Sequence, residues 1–222
     1  MPPSEIQPQS AEPGPAVEIA AVIGRVVHGR ILDTGHQFQL VVVDVVIQTG
    51  VKGMVLVAEK RISDVLNVWQ EIQNQIPAAG LIVVGDGPER ASLESSKQRG
   101  VQFAGNVGNV VDYMRAADAF VLPSDCEGLS NSMLEAMSVS LPCVVTAVGG
   151  APDVITHKTN GWLYASGNLE ELTEGLVTLL KDQALRDRLG SAARDHMKLN
   201  YDLDATTDKL CAFYRDLAQM GT

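Results

Sequence analysis

The sequence predicts a doubly wound α/β domain, with helices on both faces of a parallel sheet, preceded by a short β-rich segment. From Met54 onward, short apolar runs alternate with stretches of helical periodicity. These runs carry almost no polar residues, as expected of strands that are buried on both faces. Two of them end in glycine before a helical stretch, which is typical of the tight turns in such domains.

The chain of 222 residues divides into three parts by composition. Residues 1–16 are rich in Pro, Gln, Ser and Glu, which predicts a disordered leader, and they lack the basic start and apolar core of a signal peptide. Residues 17–53 hold two valine-rich runs separated by ILDTGHQ, which predict two strands and a possible hairpin of unclear role. Residues 54–222 form the predicted α/β domain.

The first elements of this domain follow from local pattern. The run MVLVA at 54–58 predicts a strand, and the next stretch predicts a helix with Ser63 as its N-cap and Trp69 on its apolar face. The run LIVV at 81–84 predicts a second strand. The stretch that follows it predicts a helix with Pro88 in its first turn, where the missing N–H of proline has no consequence.

The same unit then repeats towards the C-terminus. Three further strands are predicted, VQFAG, AFVL and PCVVT, separated by the helical stretches NVVDYMRAAD and SNSMLEAMSVS. Three helices complete the chain: LEELTEGLVTLL, QALRDRLGSAARDHM and LDATTDKLCAFYRDL. In doubly wound sheets the ligand binds beyond the carboxyl ends of the strands, so the loops after the strands are the segments to inspect.

Charge and cysteine usage exclude several classes of protein. Twenty-seven acidic residues against seventeen basic ones give a net charge of -10, which argues against nucleic acid or an anionic membrane as a partner. No run approaches the ~18 apolar residues of a membrane-spanning helix. Three widely spaced cysteines predict reduced thiols in a cytoplasmic chain, and four scattered histidines predict neither a metal site nor a metal cofactor.

The loop and helix PSDCEGLSNSMLEAM, residues 123–137, carry the most informative chemistry. Glu127 lies in the loop and Glu135 in the second helical turn, while Gly128 allows a ligand to approach the backbone closely. The first amides of a helix lack intrahelical partners and form an anion site, here at Leu129, Ser130 and Asn131. This arrangement predicts a diphosphate on the helix start, with the two glutamates accepting bonds from sugar hydroxyls. An ordinary helix cap with two glutamates of no function is the alternative.

Six ordered motifs place these residues in a wider pattern. The stretches LIVVGDGPER, VQFAGNV, AFVLPS, EGLSNSMLEA, LPCVVTAVGGAPDVI and NGWLY resemble the C-terminal domain of family-four retaining glycosyltransferases, also called glycosyl transferases group 1. These are enzymes of the GT-B fold, with two Rossmann-like domains, that use nucleotide sugars. The resemblance runs from about Lys60 to the C-terminus, and it implies that residues 54–222 are the Rossmann-like, donor-nucleotide-binding half.

The resemblance also implies roles for individual residues. Glu127 matches the glutamate that faces the donor sugar, and Lys60 matches the lysine that neutralises the donor diphosphate; these two are the catalytic candidates. Glu135 matches the glutamate that binds the ribose hydroxyls. The remaining donor-binding candidates of the Glu127 loop, of the helix start and of the loop after VQFAG are Gly128, Leu129, Ser130, Asn131 and Val107. Apart from the resemblance, Gly85 in GDGPER is a candidate for a phosphate-binding glycine loop, and a tight strand-to-helix turn is its alternative role.

Departures from the family pattern bear on activity. The family has Gly-Arg shortly before the lysine, whereas this chain has Met54 and Val55 there. Arg25 and Arg30 have a similar spacing but lie about thirty residues too early, so they are either a displaced copy of this motif or a chance match. Asp153 stands where the family prefers glutamate. Residues 1–53 are too few for an acceptor domain, and neither His28 nor His36 lies in a recognisable version of its motif.

The leading hypothesis is therefore the donor-binding domain of a retaining glycosyltransferase, inactive without an acceptor domain. Its partner would be a nucleotide-sugar donor, with the acceptor unknown and a second chain able to supply the missing domain. A non-catalytic module that binds nucleotide sugars or serves assembly is one alternative. A nucleotide-sugar epimerase of GT-B architecture is another.

Overall fold

A parallel sheet forms the centre of the molecule, whose structure is a computed structural model that describes residues 39–44, 57–96 and 98–220. Six strands in these residues pair in the order β3-β2-β1-β4-β5-β6, and every pairing is parallel. The strands are β1 (Gln39–Asp44), β2 (Ala79–Val84), β3 (Val101–Gly105), β4 (Ala119–Leu122), β5 (Cys143–Thr146) and β6 (Trp162–Tyr164).

Helices connect consecutive strands and continue beyond the last one. A short 3-10 turn at Ala58–Lys60 precedes the first helix. The α-helices are α1 (Ile62–Gln75), α2 (Arg90–Glu94), α3 (Val110–Ala116), α4 (Asn131–Ser138), α5 (Ala151–Val154), α6 (Leu169–Lys181), α7 (Gln183–Asn200) and α8 (Leu203–Met220). In the parts of the chain that the structure describes, none of these helices is long and apolar enough to cross a lipid bilayer.

Alternate residues of the strands bury against opposite layers of helices. On one face, Val121 and Val144 join a core with α1 and α6, in which Trp69 is fully buried. On the other face, Phe120 and Val145 join a second core with α4 and α7. Because the central strands β2 and β4 are buried along their whole length, their sequences contain no polar side chain, which confirms the doubly wound α/β fold that the strand runs predict.

The first strand differs from the prediction. β1 lies between β2 and β4 and comes from the segment 17–53, so the sheet extends upstream of the expected boundary at residue 54. The strand expected at 54–58 is wrong in its described part, because Val57 lies outside any element and Ala58 begins the 3-10 turn. The six residues of β1 already fill the place between β2 and β4, which leaves no edge there for a further strand.

Several predictions fall on residues outside the described ranges and stay predictions. They concern the leader at 1–16, the first strand of the hairpin and the positions that depart from the family pattern, namely Arg25, His28, Arg30, His36, Met54 and Val55.

The starts of two helices differ from the prediction. Ser63 is not the N-cap of α1: the helix begins at Ile62, and Arg61 precedes it in a left-handed conformation. Pro88 precedes α2 rather than lying in its first turn, since the helix begins at Arg90. The short strand β6 has no strong sequence signal of its own and forms because it pairs with β5.

The strand order places the site. The chain order reverses between β1 and β4, and in doubly wound sheets the crevice beyond the carboxyl ends of such strands binds the ligand. The loop 123–130 leaves the sheet at this edge after β4, and the turn that carries Lys60 packs against it.

Candidate donor-binding site

An ion pair joins the two catalytic candidates. Lys60 Nζ donates to Glu127 Oε1, and the two side chains are 17% and 14% exposed, so the pair is largely withdrawn from water. Ser124 Oγ donates to the same oxygen of Glu127 at 2.9 Å. The structure thus brings Lys60, Ser124 and Glu127 into contact although 64 residues separate the lysine from the serine. Charge-assisted bonds of this kind fix the direction in which a carboxylate points.

The loop 123–130 is fastened to the sheet and to the Lys60 turn. Thr146 Oγ1, at the end of β5, donates to the carbonyl of Ser124 at 2.6 Å, and both residues are fully buried. The backbone N–H of Asp125 donates to the carbonyl of Glu59 at 2.8 Å. These two bonds hold Glu127 between the ends of β4 and β5, facing Lys60.

The glycine pair after β5 packs directly on this loop. The N–H of Gly150 donates to the carbonyl of Gly128 at 2.8 Å. Gly149 has a φ of 55°, and a Cβ built on it would lie 1.9 Å from the carbonyl oxygen of Glu127. Any side chain at Gly149 would overlap the backbone of Glu127, so this contact requires glycine. The motif Gly149-Gly150 is therefore part of the site.

The start of α4 provides amides at the same edge. Ser130 caps the helix, and its side-chain oxygen accepts from the N–H of Met133 at 3.4 Å. Leu129 is 48% exposed, and Asn131 and Gly128 are exposed as well. An exposed helix start has unpaired N–H groups and a positive dipole end, which attract an anion. The four candidates Gly128, Leu129, Ser130 and Asn131 thus lie together.

Glu135 lies one turn further along α4, beside a cleft between α3 and α4. This cleft of about 290 Å³ is lined by Asn131, Glu135 and Val139 of α4 and its end, and by Val111 of α3. Burial raises the pKa of the Glu135 carboxyl, because the charged form loses hydration in a half-buried place. A carboxylate under this penalty gains from hydrogen-bond donors that a ligand brings.

Two further candidates lie at the neighbouring strand ends. Val107, in the loop after β3, is half-buried and packs on a small cluster that includes Val84 and Tyr113. Gly85 follows β2 and is buried, and its N–H donates to the carbonyl of Gly105 at 2.9 Å. This bond joins the end of β2 to the end of β3, so the N–H of Gly85 is already engaged, and a donor contact of Gly85 stays a prediction.

Arg61 is part of this arrangement and was missed from the sequence. Its Nη1 lies 3.1 Å from Asp125 Oδ2, and its Nε donates to Asp64 Oδ2 at 2.7 Å. Bonds from Ser166 and then Arg61 lower the pKa of the Asp125 carboxyl, which keeps it ionised. The signal available was only the position of Arg61 beside Lys60, since its partners follow from the fold.

In the described residues, the cysteines form no disulfide and the residue types that bind metals form no cluster. All three cysteines are free; Cys143 is buried, which raises the pKa of its thiol, and Cys126 and Cys211 are exposed. Within the described ranges, no group of three or more His, Cys, Asp or Glu residues is placed to hold a metal ion.

A family model described as glycosyl transferases group 1 matches residues 48–182, more than half of the chain. The chain belongs to this glycosyltransferase family. The matched region contains Lys60, Glu127 and Glu135, and the family resemblance that the six motifs indicate is confirmed, while the roles of these three residues stay predictions. It also begins at residue 48, upstream of the domain boundary expected from sequence.

Two curated relatives illustrate the family. The chain is 31% identical over 163 residues to N-acetyl-alpha-D-glucosaminyl L-malate synthase of Bacillus anthracis, a match that covers 71% of this chain and 42% of that protein. It is 34% identical over 151 residues to sulfoquinovosyl transferase SQD2 of Arabidopsis thaliana, covering 65% of this chain and 29% of the relative. The chain therefore spans less than half the length of either relative.

Solved structures share the fold. The crystal structure of Anabaena HepE in complex with UDP matches with a TM-score of 0.72 at 19% identity, over 93% of this chain and 54% of that one. At this identity the likeness concerns the fold alone: a Rossmann-like half of a larger glycosyltransferase architecture.

Proposed function

We propose that this glycosyltransferase domain binds a nucleotide-sugar donor for retaining transfer of the sugar to an acceptor hydroxyl. The observation that carries the proposal is the Lys60–Glu127 pair, held beside the exposed start of α4 at the carboxyl edge of the sheet. A cation and a helix start together suit the diphosphate of a UDP-, GDP- or ADP-sugar.

The chemistry follows from charge. Transfer breaks the bond between the sugar and the diphosphate, and negative charge grows on the departing phosphate. Lys60 and the amides at the start of α4 supply positive potential at that point, fixed in place before the reaction begins. Since these groups can neutralise the leaving group, the proposal includes no metal ion. Glu127, the partner of Lys60 in the ion pair, would face the donor sugar.

The nucleoside end of the donor would lie along α4. Glu135, which lines the cleft between α3 and α4, would accept bonds from a ribose diol, and the backbone near Val107 would meet the base. The Anabaena neighbour was solved with UDP, which supports a nucleoside diphosphate as the ligand to test first.

We expect the purified polypeptide to bind donor without transferring sugar, unless another domain or chain supplies the acceptor site. Catalysis of this kind depends on holding donor and acceptor in reacting geometry, an effect of up to roughly 7–11 kcal/mol. Incubation with UDP-, GDP- and ADP-sugars, followed by assay of released nucleoside diphosphate, checks this expectation. Robust release in the presence of acceptor sugars, abolished in Glu127→Ala, would contradict it. An altered sugar still joined to its nucleotide would instead indicate an epimerase.

Replacing Lys60 by alanine is expected to weaken nucleoside diphosphates at least about tenfold, since charge-assisted bonds contribute about 1.5–3 kcal/mol each. Uridine and guanosine lack the phosphates that Lys60 meets, so their affinities should change little. Titration calorimetry with UDP and uridine on the same variant measures the ratio. This ratio is unaffected by any loss of folding stability that follows from leaving Glu127 without its partner.

Lys181→Ala is the matched control, because Lys181 is exposed and donates to Gln75 on another face of the domain. It should leave both affinities unchanged. Equal losses for UDP and uridine in Lys60→Ala would overturn the assignment of Lys60 to the diphosphate.

A further inference from the structure

The backbone of Arg61 adopts a conformation that disfavours arginine. Its φ of 49° and ψ of 36° lie in the left-handed region, at the junction between the 3-10 turn and α1. The N–H of Arg61 donates to the carbonyl of Ala58 at 2.9 Å, which closes the turn. Glycine fits this conformation without strain, whereas a residue with a Cβ does not. The side chain of Arg61 must therefore offset the strain through its contacts.

Those contacts join three separate segments. The Arg61 guanidinium binds Asp64 in the first turn of α1 and both carboxylate oxygens of Asp125 in the loop 123–130. Ser166, in the loop after β6, donates to the same carboxylate of Asp125. A Cβ built on Gly167 would lie 3.2 Å from Nη2 of Arg61, so the loop after β6 also packs on the guanidinium.

Two side-chain links between the Lys60 turn and the loop 123–130 thus run side by side, in addition to the backbone bond from Asp125 to Glu59. Lys60 binds Glu127, and the next residue, Arg61, binds Asp125, two positions before that glutamate. The first link is withdrawn from water and faces the proposed diphosphate position. The second is at the rim, with Arg61 32% and Asp125 44% exposed. We expect a diphosphate that binds Lys60 to compete with Glu127 for the ammonium group and to leave the Arg61–Asp125 pair at the rim intact.

We propose that Arg61 is a positioning residue, which keeps the Glu127 loop against the Lys60 turn while the Lys60–Glu127 pair opens to admit the donor diphosphate. The part of this proposal that concerns the donor rests on the proposed function. The structural part, that Arg61 holds the loop 123–130 against the Lys60 turn, does not depend on any ligand.

Arg61→Gly tests the proposal, because it removes the guanidinium and suits the left-handed backbone. Hydrogen exchange followed by NMR should show the amides of Asp125 and Gly150 exchanging about three- to fivefold faster, the scale expected from a partly exposed ion pair. The affinity for UDP should fall by about the same factor, with the affinity for uridine unchanged. Asp125→Asn removes the other half of the pair and should give the same pattern.

Glu94→Gln is the control, since it breaks the exposed Arg90–Glu94 pair and should change neither measurement. Wild-type exchange of Asp125 and Gly150 in both test variants overturns the proposal. Faster exchange with unchanged relative affinity for UDP and uridine also overturns it, because Arg61 would then serve folding alone. If the wild-type protein binds no nucleoside diphosphate, the donor function fails, and the exchange rates still decide whether Arg61 holds the loop.

Discussion

Replacing Gly149 by alanine is expected to lower the free energy of unfolding by about 2 kcal/mol or more and to weaken UDP at least about tenfold. The added Cβ would lie 1.9 Å from the carbonyl oxygen of Glu127 and 2.7 Å from its carbonyl carbon. These are backbone atoms, so no side-chain rotation relieves the overlap. The φ of 55° adds strain of its own. Glu127 and Gly128 must move, and with them the position of Glu127 relative to Lys60.

Two alanine substitutions separate site effects from general ones. Gly190→Ala also meets backbone, 2.0 Å from the carbonyl oxygen of Ser140. It should lower stability by a similar amount and leave the UDP affinity of the folded protein unchanged. Gly108→Ala meets no atom within 4 Å and should change neither quantity. Urea unfolding and calorimetry measure both. Wild-type affinity for UDP in Gly149→Ala would show that the contact between the two loops is irrelevant to binding.

Glu135→Ala is expected to remove most of the rise in melting temperature that UDP or GDP produces in the wild-type protein. A half-buried carboxylate that accepts two ribose hydroxyls makes two charge-assisted bonds, each contributing about 1.5–3 kcal/mol. Thermal unfolding with and without ligand measures the shift, and Glu174→Ala, an exposed glutamate of α6, is the control. An undiminished shift in Glu135→Ala would reject the ribose role.

Glu135→Gln should at the same time stabilise the unliganded protein at neutral pH. Burial raises the pKa of Glu135 in the folded state, so between the unfolded and folded pKa values the folded protein holds a proton that the unfolded chain has lost. Stability therefore falls as pH rises through this window, and the penalty is absent below the unfolded value. The gain of Glu135→Gln over wild type should be present at pH 7 and vanish near pH 4, the ordinary value for glutamate. A gain that does not depend on pH would contradict a desolvated carboxylate.

The strands β2, β4 and β5 were largely predictable because each is buried along its whole length. Such a strand is almost wholly apolar, as LIVV, AFVL and CVVT show, whereas the edge strand VQFAG is mostly half-buried and carries Gln102. The run that forms β1 was predicted as a strand but not as part of this sheet, because both this run and MVLVA at 54–58 have the composition of a buried strand. Local pattern cannot tell which run pairs there, since pairing is decided by residues distant in the chain. The three-residue strand β6 was also not predicted, because it forms through its pairing with β5 and not from a strong signal of its own.

The sequence by itself determined the fold class, the family and the catalytic candidates Lys60 and Glu127. Ordered motifs and strand composition are local properties of the sequence, so they can be recognised without knowledge of the contacts between distant residues. The tertiary structure decided which residues meet. It showed that Ser124 orients Glu127, that Gly149 must be glycine, and that Arg61 reaches Asp125. These facts depend on loops from different strands converging at one edge of a parallel sheet, and no local pattern encodes the distances between them.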